Sequence, residues 1–189
     1  MQYYIYSLVC FLLPGTVWLI WNKGMIADKA YKVRHIIWIY IYLFYGYLAV
    51  QEAAGIGTIW DLIAYGKLDN SINLIPFSSE GAMTYILNII MFMPFGFLLP
   101  LIWKNFRNAK KVVLMGFLMS LAIEICQLFN IRTTDIDDLL MNTLGTLVGY
   151  CCWKVFSLIF RNAGTKCVEM KKSEPVIYMF GGILGLFLL

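Results

Sequence analysis

Charged residues are scarce in this sequence. Of its 189 residues, 14% are Asp, Glu, Lys or Arg and 61% are hydrophobic. A water-soluble domain of this length needs far more polar surface, so the composition excludes an ordinary soluble enzyme. The same composition indicates an integral membrane protein.

Several signatures of cofactor binding and nucleophilic catalysis are also missing. The sequence contains no glycine-rich nucleotide loop and no CxxC pair, and its five cysteines follow no regular spacing. This argues against both a disulfide framework and a zinc site. With His35 as the single histidine, no Ser/His or Cys/His pair is evident. We therefore expect no cofactor, no metal and no nucleic-acid partner.

Long apolar runs make up most of the chain. A bilayer core requires about 20 helical residues, so these runs predict a single all-α transmembrane domain, residues 1–189, with about six spans. No basic residue precedes the first run and no cleavage pattern follows it, so we expect a retained helix. We expect Pro14 to kink the first span, and Pro94 and Pro100 to interrupt the third, with a kink that helps packing as the alternative. The predicted spans are Tyr4–Trp21, Ile36–Gly55, Thr84–Trp103, Val112–Asn130, Leu139–Phe160 and Pro175–Leu189.

Basic residues cluster in alternate connections between the spans. Thirteen of the fifteen Lys and Arg residues fall in or beside the first, third and fifth connections, whereas the second and fourth are mainly acidic. Lys and Arg mark the cytoplasmic side of a membrane protein. The pattern therefore predicts that the N- and C-termini and the acidic connections are extracytoplasmic.

Polar residues recur at helical spacing in the fourth and fifth spans. A lipid-facing charge costs about 2.5–3.5 kcal/mol, so we expect these stripes to face inward. They should line a polar pocket open to the extracytoplasmic side, with Asn88 of the third span as a neighbour. The two stripes are Ser120, Glu124 and Gln127, and Asp138, Asn142, Gly145 and Gly149.

The buried carboxylates are the candidate catalytic groups. We predict Glu124 as the acid/base or hydrogen-bonding centre, with Asp135 and Asp138 as orienting groups. An interhelical hydrogen bond for Glu124, an N-cap for Asp135 and a divalent-cation site in the Asp-rich connection remain alternatives. His35 is expected at the cytoplasmic interface. The candidate substrate-binding residues are Arg132, Gln127, Asn142, Asn88, Ser120 and Asn73.

An ordered set of short motifs crosses the middle of the chain. These are Asn73-x-Ile-Pro-Phe77, Asn88, Phe92-x-Pro-x-Gly96, Ser120-x3-Glu124-x2-Gln127 and Arg132-x2-Asp135-x2-Asp138-x3-Asn142-x2-Gly145-x3-Gly149. Together they resemble the VanZ-like family of bacterial membrane proteins over about residues 40–160, with no departure at the polar positions. The family is named for a protein associated with low-level resistance to the glycopeptide teicoplanin.

The resemblance implies a role in the bacterial cell envelope without supplying an established reaction. One hypothesis is lowered susceptibility to lipophilic glycopeptides through binding or modification of a lipid-anchored envelope molecule. Alternatives are a small lipid or amphiphile transporter and a non-catalytic partner of another envelope protein. The expected partners are membrane lipids and a lipid-linked cell-wall precursor or a lipophilic glycopeptide. Whether the protein catalyses a reaction, and its oligomeric state, stay open.

Overall fold

A computed structural model describes residues 2–22, 29–56, 58–60, 63, 72–73, 75–77, 81–128, 134–160, 171 and 173–188. Within these ranges the chain is almost entirely helical. The helices are α1 (Gln2–Asn22), α2 (Lys29–Tyr47), α3 (Ala82–Ile102), α4 (Ala109–Gln127), α5 (Ile136–Ile159) and α6 (Glu174–Phe187).

Four short elements accompany these helices in the described structure. A π-helix (Leu48–Ala54) continues α2, and a 3₁₀ turn (Lys104–Phe106) lies between α3 and α4. Two strands of two residues, β1 (Ile72–Asn73) and β2 (Thr134–Asp135), pair in parallel. The strand pair brings the segment before α3 to the N-terminus of α5.

Three helical segments are long and apolar enough to cross a membrane: Tyr3–Asn22, Tyr31–Gln51 and Ala82–Ile102. The last helix, Glu174–Phe187, is apolar but shorter. Apolar side chains such as Leu13 and Ile37 are exposed on the outside of the bundle, which suits contact with lipid. These features support a membrane protein. Six complete crossings and the orientation of the termini stay predictions.

The predicted interruption of the third span is wrong. Helix α3 is continuous through Pro94 and Pro100, just as α1 continues through Pro14. Each proline removes only one backbone N–H donor, and a neighbouring side chain can satisfy nearby carbonyl groups. Beside Pro94, the Tyr45 hydroxyl of α2 donates to the carbonyl oxygen of Met91 at 2.5 Å.

Helices α3 and α5 pack with their backbones in close contact. Three glycines make this possible, because a side chain at any of them would collide with the other helix. The contacts fix the face of α5 that carries Asp138 and Asn142 against α3. The glycines and the carbonyl groups that they approach are Gly96 with Thr146, Gly145 with Ile89, and Gly149 with Met93.

A buried polar cluster fastens α6 to the rest of the bundle. The Glu174 carboxylate lies 2.8 Å from His35 Nε2 and accepts hydrogen bonds from Trp103 Nε1 and the Tyr178 hydroxyl, both at 3.0 Å. We call these four residues the Glu174 cluster. His35 is only 5% exposed because its ring pairs with Glu174 across 139 residues, and its expected position at the cytoplasmic interface of the membrane stays a prediction.

Candidate functional site

The polar stripe of α4 faces the interior of the bundle. Ser120, Glu124 and Gln127 are all at most 5% exposed. Their side chains connect α4 to its neighbours: Asn142 Nδ2 on α5 donates to Ser120 Oγ at 2.9 Å, and Gln127 Nε2 donates to the Ala54 carbonyl oxygen at 2.7 Å. The i, i+4, i+7 spacing therefore places polar groups between α4, α5 and the π-helix.

The backbone that enters α5 lies directly over Glu124. Asp135 N donates to Glu124 Oε2 at 3.3 Å, while Asp135 Oδ1 accepts from the Asp137 backbone N–H at 2.9 Å. The second bond is an N-cap. Acidic side chains are favoured at this position because they accept from the free N–H groups at the start of the helix. Asn73 Nδ2 donates to Asp135 Oδ2 at 3.0 Å. Asp135 thus has the capping role left open above, and a catalytic role for it stays a prediction.

Asp137 was not among the predicted site residues, yet it organises this end of the molecule. It is 0% exposed, and both of its carboxylate oxygens accept from the Phe77 backbone N–H at 2.9 Å. The Tyr85 hydroxyl donates to Oδ2 at 2.9 Å. Phe77 has a φ of 61°, an uncommon conformation for a bulky residue, which these bonds help to hold. The only sequence signal for this role of Asp137 was the group of three acidic residues, Asp135, Asp137 and Asp138, at the start of α5.

A cavity of about 550 Å³ lies between the π-helix and helices α3, α4 and α5. Its polar lining comes from all three helices, and the Asn88 amide donates to the Asp138 carboxylate. Its apolar lining includes Ile123, Leu87 and Ile90. The polar residues at its wall are Thr84, Asn88, Glu124, Gln127, Asp138 and Asn142.

Asn142 carries the clearest sign of unused binding capacity. Its side chain is 3% exposed, and its Oδ1 atom has no hydrogen-bond partner among the described residues. Leaving a buried carbonyl oxygen without a donor costs about 1–3 kcal/mol. Since Asn142 lines the cavity, a bound molecule or water with a donor group would satisfy this oxygen.

The chemistry available at the cavity is that of carboxylates and amides. Such groups accept and donate hydrogen bonds, and a carboxylate can also exchange a proton with a bound molecule. Within the described ranges, no three His, Cys, Asp or Glu side chains come together in a group that could hold a metal ion.

Comparison with known proteins assigns the family. The family model described as VanZ/LLP1 matches residues 6–157. The chain belongs to this family. Protein VanZ of Enterococcus faecium is 35% identical over 130 residues, which cover 68% of this chain and 74% of that protein. No solved structure matches the chain.

The family match confirms the resemblance to VanZ-like proteins and extends it. The matched range begins at residue 6 and so includes α1, which lies outside the predicted core of about 40–160. Helix α6, with Glu174, lies beyond the matched range.

In this VanZ-family protein the predicted site residues that the structure describes fall into three groups. Five line the cavity, and two others, Ser120 and Asp135, are bonded to cavity residues. Asn73 lies one step further out, on Asp135. Arg132 is outside the described residues. The roles assigned to all nine residues stay predictions. The five cavity residues are Asn88, Glu124, Gln127, Asp138 and Asn142.

Proposed function

We propose that this protein lowers the susceptibility of a bacterial cell to lipophilic glycopeptide antibiotics of the teicoplanin type. It does so by binding or modifying a lipid-anchored envelope molecule in the cavity beside Glu124. Membership of the VanZ/LLP1 family and the similarity to protein VanZ support the biological role. The observation that carries the binding site is the buried Asn142 Oδ1 at the cavity wall, without a partner among the described residues.

Glu124 is the proposed centre of the site. A carboxylate within an apolar bundle is expensive, so its retention beside a cavity favours a function over a packing role. One of its oxygens is close to the Asp135 N–H, and its side chain shares the cavity with Gln127 and Asn142. We assign Glu124 to hydrogen bonding or proton exchange with the bound molecule. Asp138 and Asn88 position the polar group, and Arg132 contacts an anionic part of it.

The cavity is proposed to open toward the extracytoplasmic face, with all six helices spanning the membrane and both termini outside. The support is the excess of Lys and Arg in alternate connections, which favours a cytoplasmic position for the start of α4. In a variant with its native cysteines replaced by serine, a cysteine at Ile75 should react with an impermeant reagent in intact cells. A cysteine at Lys110 should react only after permeabilisation. The reverse pattern would place the cavity on the cytoplasmic side.

The function is tested with Glu124→Gln, which keeps the size and most hydrogen-bonding capacity of the side chain. In cells matched for protein level, the variant should lose protection against teicoplanin while its thermal stability stays close to that of the original protein. Lys110→Gln, an exposed change in the first turn of α4, is the matched control and should leave protection unchanged. A folded Glu124→Gln protein that still protects cells would assign Glu124 to a structural role.

Reconstitution separates binding from modification and transport. Liposomes containing the protein and candidate envelope lipids are assayed for chemical conversion and for movement across the bilayer. A product without movement identifies an enzyme, and movement without a product identifies a transporter. If neither a product nor movement is found but lipid binding is saturable, the protein is a binding protein.

A further inference from the structure

Helices α2 and α3 are joined along only part of their length. The rings of Tyr42 and Phe95 stack with centroids 5.9 Å apart, and one turn further along the Tyr45 hydroxyl bonds to the Met91 carbonyl group. These two contacts show that the helices run antiparallel. In the turns that follow, both segments line the cavity, with Ala53 and Ala54 from the end of the π-helix and Thr84 and Leu87 from the N-terminal turns of α3.

The far side of this gap is formed by the π-helix, Leu48–Ala54. A π-helix has a wider turn than an α-helix and is frequently found at functional sites. Its end is fastened to α4, because Gln127 Nε2 donates to the Ala54 carbonyl oxygen, and it stops at Gly55 with a φ of 62°. The wall opposite α3 is therefore held by α4.

The residues that line the cavity are apolar and exposed at its edge, whereas those in its interior are buried and include polar groups. Leu87 and Ile90 of α3 line it and are nevertheless 56% and 54% exposed, so they lie at its edge. Ile123 and Glu124 of α4 line it too and are 1% and 5% exposed, so they lie inside. The edge is apolar and faces outward from the bundle, whereas the interior carries carboxylate and amide groups.

We propose that the gap between the π-helix and α3 is a side entrance for the hydrocarbon chain of a membrane amphiphile. The polar head of the amphiphile lies at Glu124 and Asn142, and its chain leaves between Ala53 and Leu87 into the bilayer. This inference rests on the proposed function, since it specifies how a lipid-anchored molecule occupies the same cavity. A polar interior with an apolar, outward-facing edge matches a molecule with these two parts.

A second groove continues the apolar surface beyond the entrance. It has a volume of about 570 Å³ and is formed by one face of α2, including Ile41 and Phe44, and by Leu48 at the start of the π-helix. Tyr45 lies in this groove and, through its bond to Met91, also touches the cavity wall. A chain that leaves the cavity thus meets a further apolar surface on α2.

The entrance is tested by photochemical labelling in membranes. The protein is placed in phosphatidylglycerol vesicles that contain a lysophosphatidylethanolamine with a diazirine on the acyl-chain carbons nearest its head group, and the labelled residues are identified after irradiation. We expect adducts on Ile123, which is 1% exposed and lines the interior of the cavity. Labelling restricted to outward-facing residues, with Leu87 and Ile90 no more reactive than Leu114, would overturn the entrance.

Two variants block the gap at exposed positions where a larger side chain does not disturb the core. Ala53→Trp and Leu87→Trp should each lower the labelling of Ile123 several-fold. Leu114→Trp, at a 57% exposed position on α4, should leave it unchanged. Equal labelling in all three variants would also overturn the proposal. The labelling experiment contains no antibiotic, and the teicoplanin assay measures no labelling. The proposed entrance and the proposed function can therefore fail independently of each other.

Discussion

Two buried glutamates lie toward opposite ends of α3 and have very different surroundings. Glu174 is 0% exposed and is held by donors from three other residues of the Glu174 cluster. Glu124 is 5% exposed but lines a cavity, next to an Asn142 oxygen that lacks a partner among the described residues. A buried carboxylate is therefore not enough to indicate a binding site. The cavity and the Asn142 oxygen at its wall, which has no partner among the described residues, distinguish the surroundings of Glu124 from those of Glu174.

The largest expected effect is at Glu174. Glu174→Ala removes the acceptor of three buried donors, and breaking such a buried pair typically costs about 3–5 kcal/mol. We expect a large fall in the thermal unfolding temperature of the purified protein and low levels in the membrane. Glu174→Gln keeps part of the hydrogen-bond network, so its unfolding temperature should lie between those of Glu174→Ala and the original protein. A stable Glu174→Ala protein would show that α6 does not depend on the cluster.

A smaller effect is expected where α5 packs on α3. Gly149→Ala places a methyl group against the Met93 carbonyl group, so α5 must move away from α3, at a cost of about 1–3 kcal/mol. This shift carries Asn142 and Asp138 with it but leaves the residues of the Glu174 cluster in place. We expect a lower unfolding temperature together with weaker protection against teicoplanin.

The control for this change is Gly81→Ala, where the added methyl group has no neighbour within 4 Å. It should leave the unfolding temperature and protection unchanged. If Gly149→Ala behaved in the same way, the close contact between α3 and α5 would not determine the geometry of the cavity.

Local patterns in the sequence predicted much of the helical framework. Apolar run length located the helices to within a few residues at most ends, because a bilayer imposes a minimum length on each span. Helical periodicity placed Ser120, Glu124 and Gln127 on one buried face, since residues at i, i+4 and i+7 share a direction. The amphipathic spacing on α5 selected Asn142 for the same reason.

The contacts missed by sequence reasoning join residues far apart in the chain. Glu174 meets His35 across 139 positions, and Asp137 meets the Phe77 backbone across 60. Neither pairing has a local signature, because it depends on how α6 and the segment before α3 pack. The continuity of α3 through Pro94 was also missed, because a local rule for proline does not include the packing of the neighbouring helices.

The smallest effect on stability, and the sharpest contrast, is expected from Asn142→Leu and Tyr178→Phe. Asn142→Leu removes one hydrogen bond to Ser120 and also an oxygen without a described partner, so the two contributions offset and stability should change by no more than about 1 kcal/mol. Protection against teicoplanin should nevertheless be lost, because the acceptor for the bound molecule is gone. Tyr178→Phe removes one donor to Glu174 and should cost about 1 kcal/mol while protection is retained. Thermal unfolding and antibiotic susceptibility of expression-matched cells measure both quantities. If Asn142→Leu protected cells as well as Tyr178→Phe does, the unused oxygen would no longer distinguish the two buried clusters.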